Sequence, residues 1–169
     1  MTAFLAFLLH GFLPRLGVAL PLLPLLYLLV YRYLVPPLVW GQYRKQMKQH
    51  VLAPPDTDHG AGSSDITYLT MTYDTAAGDI EISAPVPPAP YWQMGIYDEY
   101  VRAEPGGHLN HRTTEVRDGR WTVRITPNAH GAPNTLDADL SPRGIFVYRV
   151  VLPEGEVPTP TVRVIPRAG

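Results

Sequence analysis

The stretch TYLTMTYDTAAGDIEISAPVPPAPYWQMGIYDEY, residues 67–100, decides the fold. It holds runs in which apolar and polar residues alternate, separated by breaks rich in Gly and Pro. Residues 66–73 are dense in β-branched and aromatic side chains. Residues 80–84 put Ile80, Ile82 and Ala84 on one face, and residues 91–97 do the same for Trp92, Met94 and Ile96. A period of two marks a strand with one buried and one wet face. Between the first two runs, residues 74–79 include Gly78 and read as a hairpin loop. Residues 85–90 form an extended, proline-dense bridge.

Working outward toward the C-terminus, residues 109–116 and 121–126 flank Asp118-Gly119, a strong two-residue hairpin signal. Trp121, Val123 and Ile125 alternate with Thr122, Arg124 and Thr126. Residues 145–152 and 161–165 bring the count to about seven strands. No helical period of useful length follows residue 50. Residues 65–169 therefore read as an all-β unit, a small sandwich or open barrel. Its expected core is Ile66, Tyr68, Ile80, Ile82, Trp92, Met94, Ile96, Trp121, Val123, Ile125, Phe146, Tyr148 and Val150.

Working outward toward the N-terminus, the chain changes character. Residues 51–64 (VLAPPDTDHGAGSS) read as a linker and residues 41–50 as a continuation of the helix or a basic stalk, together a juxtamembrane segment over 41–64. Residues 16–40 read as a transmembrane helix. At about 1.5 Å per residue they reach roughly 37 Å, more than the roughly 30 Å hydrocarbon core. Arg32 falls near one end, where its head can snorkel to the headgroups. Tyr27, Tyr31, Tyr33, Trp40 and Tyr43 suit an interfacial belt on the same side. Pro21 and Pro24 interrupt the apolar run and would kink it, making them candidates for contact with another membrane subunit. Pro36 and Pro37 are expected to end or bend the helix. Residues 1–15 contain a ten-residue apolar stretch, too short to span, that can lie in the interface. A cleaved signal peptide fits less well, because the first residues lack Lys and Arg and the apolar region is too long.

Charge divides in the same place. Residues 1–50 carry five basic groups and no acid, whereas residues 51–169 carry all 15 acids against nine arginines. The acidic balance of the folded part excludes a basic nucleic-acid binder. Arg32, Arg44, Lys45 and Lys48 are candidates for anionic lipid headgroups. The absence of cysteine excludes a disulfide scaffold, a thiol nucleophile and a thiolate metal site.

Chemistry is sparse. There is no nucleophile elbow, phosphate loop or dinucleotide fingerprint, and no motif calls for a cofactor. His108 and His111, with His130, could hold a metal only if their segment is a loop, since strand spacing puts the first two on opposite faces. His10, and the trio Asp56, Asp58 and His59, have no fixed geometry to support a ligand role. Asp98 and Glu99 are adjacent and point apart in a strand. Asp137 and Asp139 suit turn formation. Tyr91, Trp92, Tyr97 and Tyr100 form an aromatic group suited to packing or an interface.

The 67–100 stretch also resembles the heart of a bacterial domain of unknown function, the twelve-fifty-four type. The matching features are Tyr68, Tyr73 and Asp74 in one strand, the Gly and alternating strand that follow, and the proline-flanked approach to Tyr91-Trp92 and Ile96-Tyr97-Asp98. Residues 141–153 (SPRGIFVYRVVLP) resemble the family's closing strand, while Gln93 stands where the family more often has a small hydroxyl residue. The resemblance implies an exported or membrane-anchored β domain without an established activity, whose relatives often occur beside a partner domain of the twelve-fourteen type. It implies no catalytic residues.

These observations lead us to expect a non-catalytic, single-pass accessory or structural subunit of a bacterial membrane complex, of respiratory or photosynthetic kind. Its partners would be the inner-membrane bilayer and other membrane subunits. The alternative is an exported small-ligand-binding or hydrolytic domain. Charge places the domain in the cytoplasm by the positive-inside rule. The resemblance places it in the periplasm, which is the expectation we adopt.

Overall fold

The structure is a computed structural model describing residues 22–54 and 65–167. It comprises two units, one ending at Val39 and one beginning at Trp40. The expectations for residues 1–15, including His10, and for Pro21, Asp56, Asp58 and His59 lie outside the described residues.

Helix α1 covers Leu22–Gln46, 25 residues long and apolar enough to cross a membrane. It is not ended by Pro36 and Pro37. A π-helical turn at Val30–Leu34 precedes them, and the Val35 N–H donates to the Val30 carbonyl. Each proline ring would crowd the carbonyl four residues back, and the wider π turn relieves that crowding. Pro24 lies within the described part of the helix. The described helix thus runs past residue 40 to Gln46, so the first part of residues 41–50 continues the helix, one of the two readings of that segment.

The second unit is a two-sheet sandwich, with nine strands where about seven were expected. In chain order these are β1 Ile66–Asp74, β2 Asp79–Pro85, β3 Tyr91–Tyr97, β4 Ala103–Asn110, β5 Val116–Arg117, β6 Arg120–Thr126, β7 Thr135–Asp137, β8 Arg143–Val151 and β9 Thr161–Ile165. Sheet A has the order β1-β8-β3-β4. Sheet B has the order β5-β6-β2-β9, with β7 parallel to β6. The core between them comes from Leu69, Met71 and Tyr73, Trp92, Met94 and Ile96, and Phe146, Tyr148 and Val150 on sheet A. Sheet B supplies Ile80, Ile82, Trp121, Val123 and Ile125.

Several expectations change. Residues 74–79 do not close a hairpin: β1 lies in sheet A and β2 in sheet B. A single 3₁₀ turn at Thr75–Ala77, capped by the Asp74 carboxylate at 2.9 Å from the Ala76 N–H, carries the chain between layers. Gly78 is required there, because a Cβ would sit 2.2 Å from the Ile165 carbonyl oxygen. The buried face of β1 is Leu69, Met71 and Tyr73, leaving Ile66 and Tyr68 only half-buried. Two large apolar residues stand side by side at Tyr68-Leu69, so the run alone does not choose a face. Pairing with β8, which sets Leu69 opposite Tyr148 and Met71 opposite Phe146, makes the choice.

The expected strand over 109–116 is the end of β4 followed by a turn. The Asn110 side chain accepts from the N–H groups of Arg112 and Thr113 at 2.8 and 3.3 Å and so turns the chain away. The hairpin at Asp118-Gly119 forms as expected, both residues being left-handed with φ of 50° and 70°.

The expected linker contributes to the sheet. The His50 N–H donates to the Thr72 carbonyl at 2.9 Å, and Ala53 exchanges bonds with Thr70 at 3.2 and 2.9 Å. Residues 48–53 thus cover the outer edge of β1, and Leu52 enters the core at 4 % exposure. A bare edge would present unpaired backbone groups. Val157 likewise packs against the core.

Candidate functional site

Polar groups concentrate at the end of sheet A where β3 turns into β4. Asp98 is 5 % exposed. One of its carboxylate oxygens accepts from the backbone N–H groups of Tyr100 and Arg102, both at 2.8 Å, and the other accepts from the Arg102 guanidinium at 2.7 and 2.6 Å. This closes the turn around Val101, which is held at φ 62°. The carboxylate is the staple of its own turn.

Beside it, the buried Tyr73 hydroxyl donates to the Ser141 carbonyl at 2.9 Å, and the Ser141 hydroxyl donates to the Glu104 carboxylate. Burial, then the nearby Glu104 and Asp98 charges, push the Tyr73 pKa well above its ordinary value. The hydroxyl stays protonated and acts as a fixed donor. Glu99, directed away from Asp98, pairs with Arg143 at 3.2 Å. Both acids lie in the turn after β3 rather than in a strand, and their different partners keep them apart.

The aromatic group expected from sequence is not one cluster. Trp92 faces inward and stacks on Trp121 at 6.0 Å, with Tyr148 5.2 Å from Trp121. The Trp121 indole nitrogen and the Tyr148 hydroxyl are buried there without a hydrogen bond of normal geometry. Burial raises the Tyr148 pKa, and the adjacent Trp121 N–H partly offsets this. Tyr91 and Tyr97 point to the other side of β3, at its two ends. Tyr100 leaves in the turn, under the Arg102 guanidinium at 4.6 Å. Neighbouring residues of a strand face opposite ways, so adjacency in sequence separates Tyr91 from Trp92.

The outer face of sheet A is built in cross-strand rows. Ile66, Val151 and Tyr91 form one row; Tyr68, Arg149, Gln93 and Asn110 the next; Thr70, Val147, Gly95 and His108 the third; Thr72, Ile145 and Tyr97 the fourth. None of these rows contains an acid. The Tyr91 hydroxyl and the Gln93 amide bond at 2.6 Å. His108 lies over Gly95, edge-on to Tyr97 at 5.5 Å, while His111 is edge-on to Tyr91 at 5.0 Å. The two histidines are thus attached to different tyrosines. No group of three metal-ligating side chains occurs among the described residues.

Sequence reasoning missed Tyr73, Glu104 and Ser141 as a group, because three separate segments bring them together, and it missed Arg149 on the opposite face of sheet A. It also missed Asn134, whose amide bridges Glu115 and Thr122 at 2.7–3.0 Å. An Asn-Thr step after Pro133 was the available signal. Asp137 accepts from the Asp139 N–H at 3.0 Å, the turn role expected for that pair.

In the helical unit Tyr27 and Tyr31 stack at 5.9 Å, and Arg32 lies 6.0 Å over the Tyr33 ring. In the second unit Arg44, Lys45 and Lys48 line a shallow groove of about 300 Å³ with Thr72 at its side. Trp40 takes the Arg143 guanidinium at 5.9 Å, so one expected interface aromatic is engaged within this unit.

Two solved structures are similar to the chain. An uncharacterized protein from Burkholderia cenocepacia matches with a TM-score of 0.64 and 21 % identity, over 75 % of this chain and 37 % of that one. The VPA0106 protein of Vibrio parahaemolyticus matches at 0.48 and 16 %, over 60 % of this chain and 31 % of that one. The first shares the sandwich fold, and the present chain spans about a third of the length of each. No curated protein matches the sequence. A family profile covers residues 44–168, beginning where the basic end of α1 begins and running through β9, and on that match the chain belongs to the family described as protein of unknown function (DUF1254).

Proposed function

We propose that this protein is a non-catalytic, membrane-anchored accessory subunit of a larger bacterial membrane complex, its β domain on the periplasmic side of the inner membrane. The observation that carries this reading is how the polar groups are used. The buried Asp98 is saturated by its own turn. Glu104 is engaged by Ser141, and the histidines pack on separate tyrosines. What remains outward is an anchor and an aromatic sheet face. The apolar side chains of α1 from Leu22 to Leu34 are exposed in the chain's own fold, which suits lipid or neighbouring helices. The family resemblance suggests a domain of the twelve-fourteen type as the partner.

The test is extraction of native membranes in mild detergent, followed by sizing and identification of whatever co-migrates. Co-migration with one assembly at fixed stoichiometry is expected. Migration as a lone monomer or small homo-oligomer would remove the subunit reading.

A further inference from the structure

The nine arginines of the β domain are not used alike. Arg102, Arg117, Arg124, Arg143 and Arg167 each pair with an acid of this chain. Arg112, Arg120 and Arg163 are exposed, where water solvates them. Arg149 is neither. It is half-buried at the centre of sheet A, on β8 between β1 and β3. Its Nε is buried without a hydrogen-bond partner, and its guanidinium lies 5.8 Å over the Tyr68 ring. Gln93 flanks it on the other side, and no acid stands in its row or in the three neighbouring rows. Yet residues 65–167 carry 13 acids against nine arginines. A partly desolvated guanidinium without a counter-charge among the described residues is an unfavourable arrangement, which an incoming carboxylate reverses.

A second polar atom on this side, His111 Nδ1 beside Tyr91, is also buried without a partner. Tyr68, Tyr91, Gln93 and Val151 around them are half-buried. Arg and Tyr on such a patch are the residue types that anchor protein interfaces.

From these observations we infer that the part of the outer face of sheet A around Arg149 docks a carboxylate-bearing segment of a partner polypeptide, with Arg149 holding the carboxylate through its planar fork and the flanking Tyr68 and Tyr91 packing the segment. The charge complementarity argues for an acidic partner: the domain as a whole repels acids, but this face does not. The inference rests on the accessory-subunit reading and specifies the surface that would carry it.

The experiment places the photo-crosslinking residue p-benzoylphenylalanine at Gln93 in the full-length chain, irradiates native membranes, and maps the adduct by mass spectrometry. The expected result is an adduct to one partner polypeptide, at a peptide within a few residues of an Asp or Glu. Arg149→Gln should cut its yield about tenfold, and Arg149→Lys less, because Lys keeps the charge but loses the fork. If Arg149→Gln does not fold, the charge reversal Arg149→Glu combined with Arg at the mapped acid of the partner should restore the adduct. An adduct indifferent to Arg149, an adduct to lipid or to a second copy of this chain, or a peptide remote from any acid overturns the inference. Absence of an adduct while the chain still co-migrates with its assembly overturns this docking face alone. Absence of both adduct and co-migration overturns the subunit reading as well.

Discussion

Tyr73 and Tyr148 lie in the same core, and their hydroxyls have opposite fates. Tyr73 donates to the Ser141 carbonyl at 2.9 Å, whereas the Tyr148 hydroxyl has no hydrogen bond of normal geometry, only the adjacent Trp121 N–H. Tyr73→Phe should therefore cost about 1 kcal/mol, and Tyr148→Phe should be neutral or stabilise by up to about 1 kcal/mol, because it removes a buried orphan. Urea melts of the two variants decide this. Both hydroxyls are pushed above the ordinary tyrosine value, Tyr73 by burial and then by Glu104 and Asp98, Tyr148 by burial. Above about pH 10 the unfolded chain releases these protons while the folded one keeps them. The unfolded state then binds fewer protons, so stability falls as pH rises through that range and is whole below it. Each Phe variant should flatten the alkaline decline of a melt series from pH 8 to 11, and an unchanged slope would refute the assignment.

At the scale of elements, the decisive feature is the strap over residues 48–53. Its sequence reads as stalk and linker, but its backbone pairs with Thr70 and Thr72 and it sends Leu52 into the core. Leu52→Ala should destabilise the β domain by about 2–3 kcal/mol. A true linker position would show almost no change, so a thermal melt of this one variant separates the two descriptions. Strand β4 shows the reverse problem. Its sequence, AEPGGHLN, holds a proline and two glycines and has low strand propensity. It forms because it is an edge strand paired with β3, where a missing N–H can face away from the ladder. The alternating runs of β2, β3 and β6 were legible because each has one buried and one wet face. The three-residue β7 was not, because its identity lies in its pairing with β6.

For the whole molecule the open quantity is the side of the membrane. The basic residues after the span, Arg44, Lys45 and Lys48, argue for a cytoplasmic domain, and the family resemblance argues for an exported one. The chain has no cysteine, so a single introduced one reports without background. Glu154→Cys, at an exposed position, should be labelled by a membrane-impermeant maleimide in cells whose outer membrane alone has been opened. Labelling only after lysis would put the domain in the cytoplasm and refute the periplasmic placement.

Sequence by itself determined the division into an apolar helix and a β domain, the main alternating strands and most of the core. These follow from local periodicity, which is set by the partition of side chains between water and the interior. The candidate site was hardly legible. Tyr91, Trp92 and Tyr97 were found as residues, and the alternation already separated Trp92 from the other two, but what each face packs against followed only from the sheet. Which strands pair, which face of β1 is buried, and that 74–79 crosses between sheets were decided by the tertiary structure, because pairing energies join residues far apart in the chain. The same holds for Arg149. Its sequence neighbours say only that a charge sits in a strand. Its half-buried, acid-free surroundings come from β1, β3 and β4, which the chain brings together only when the sheet closes.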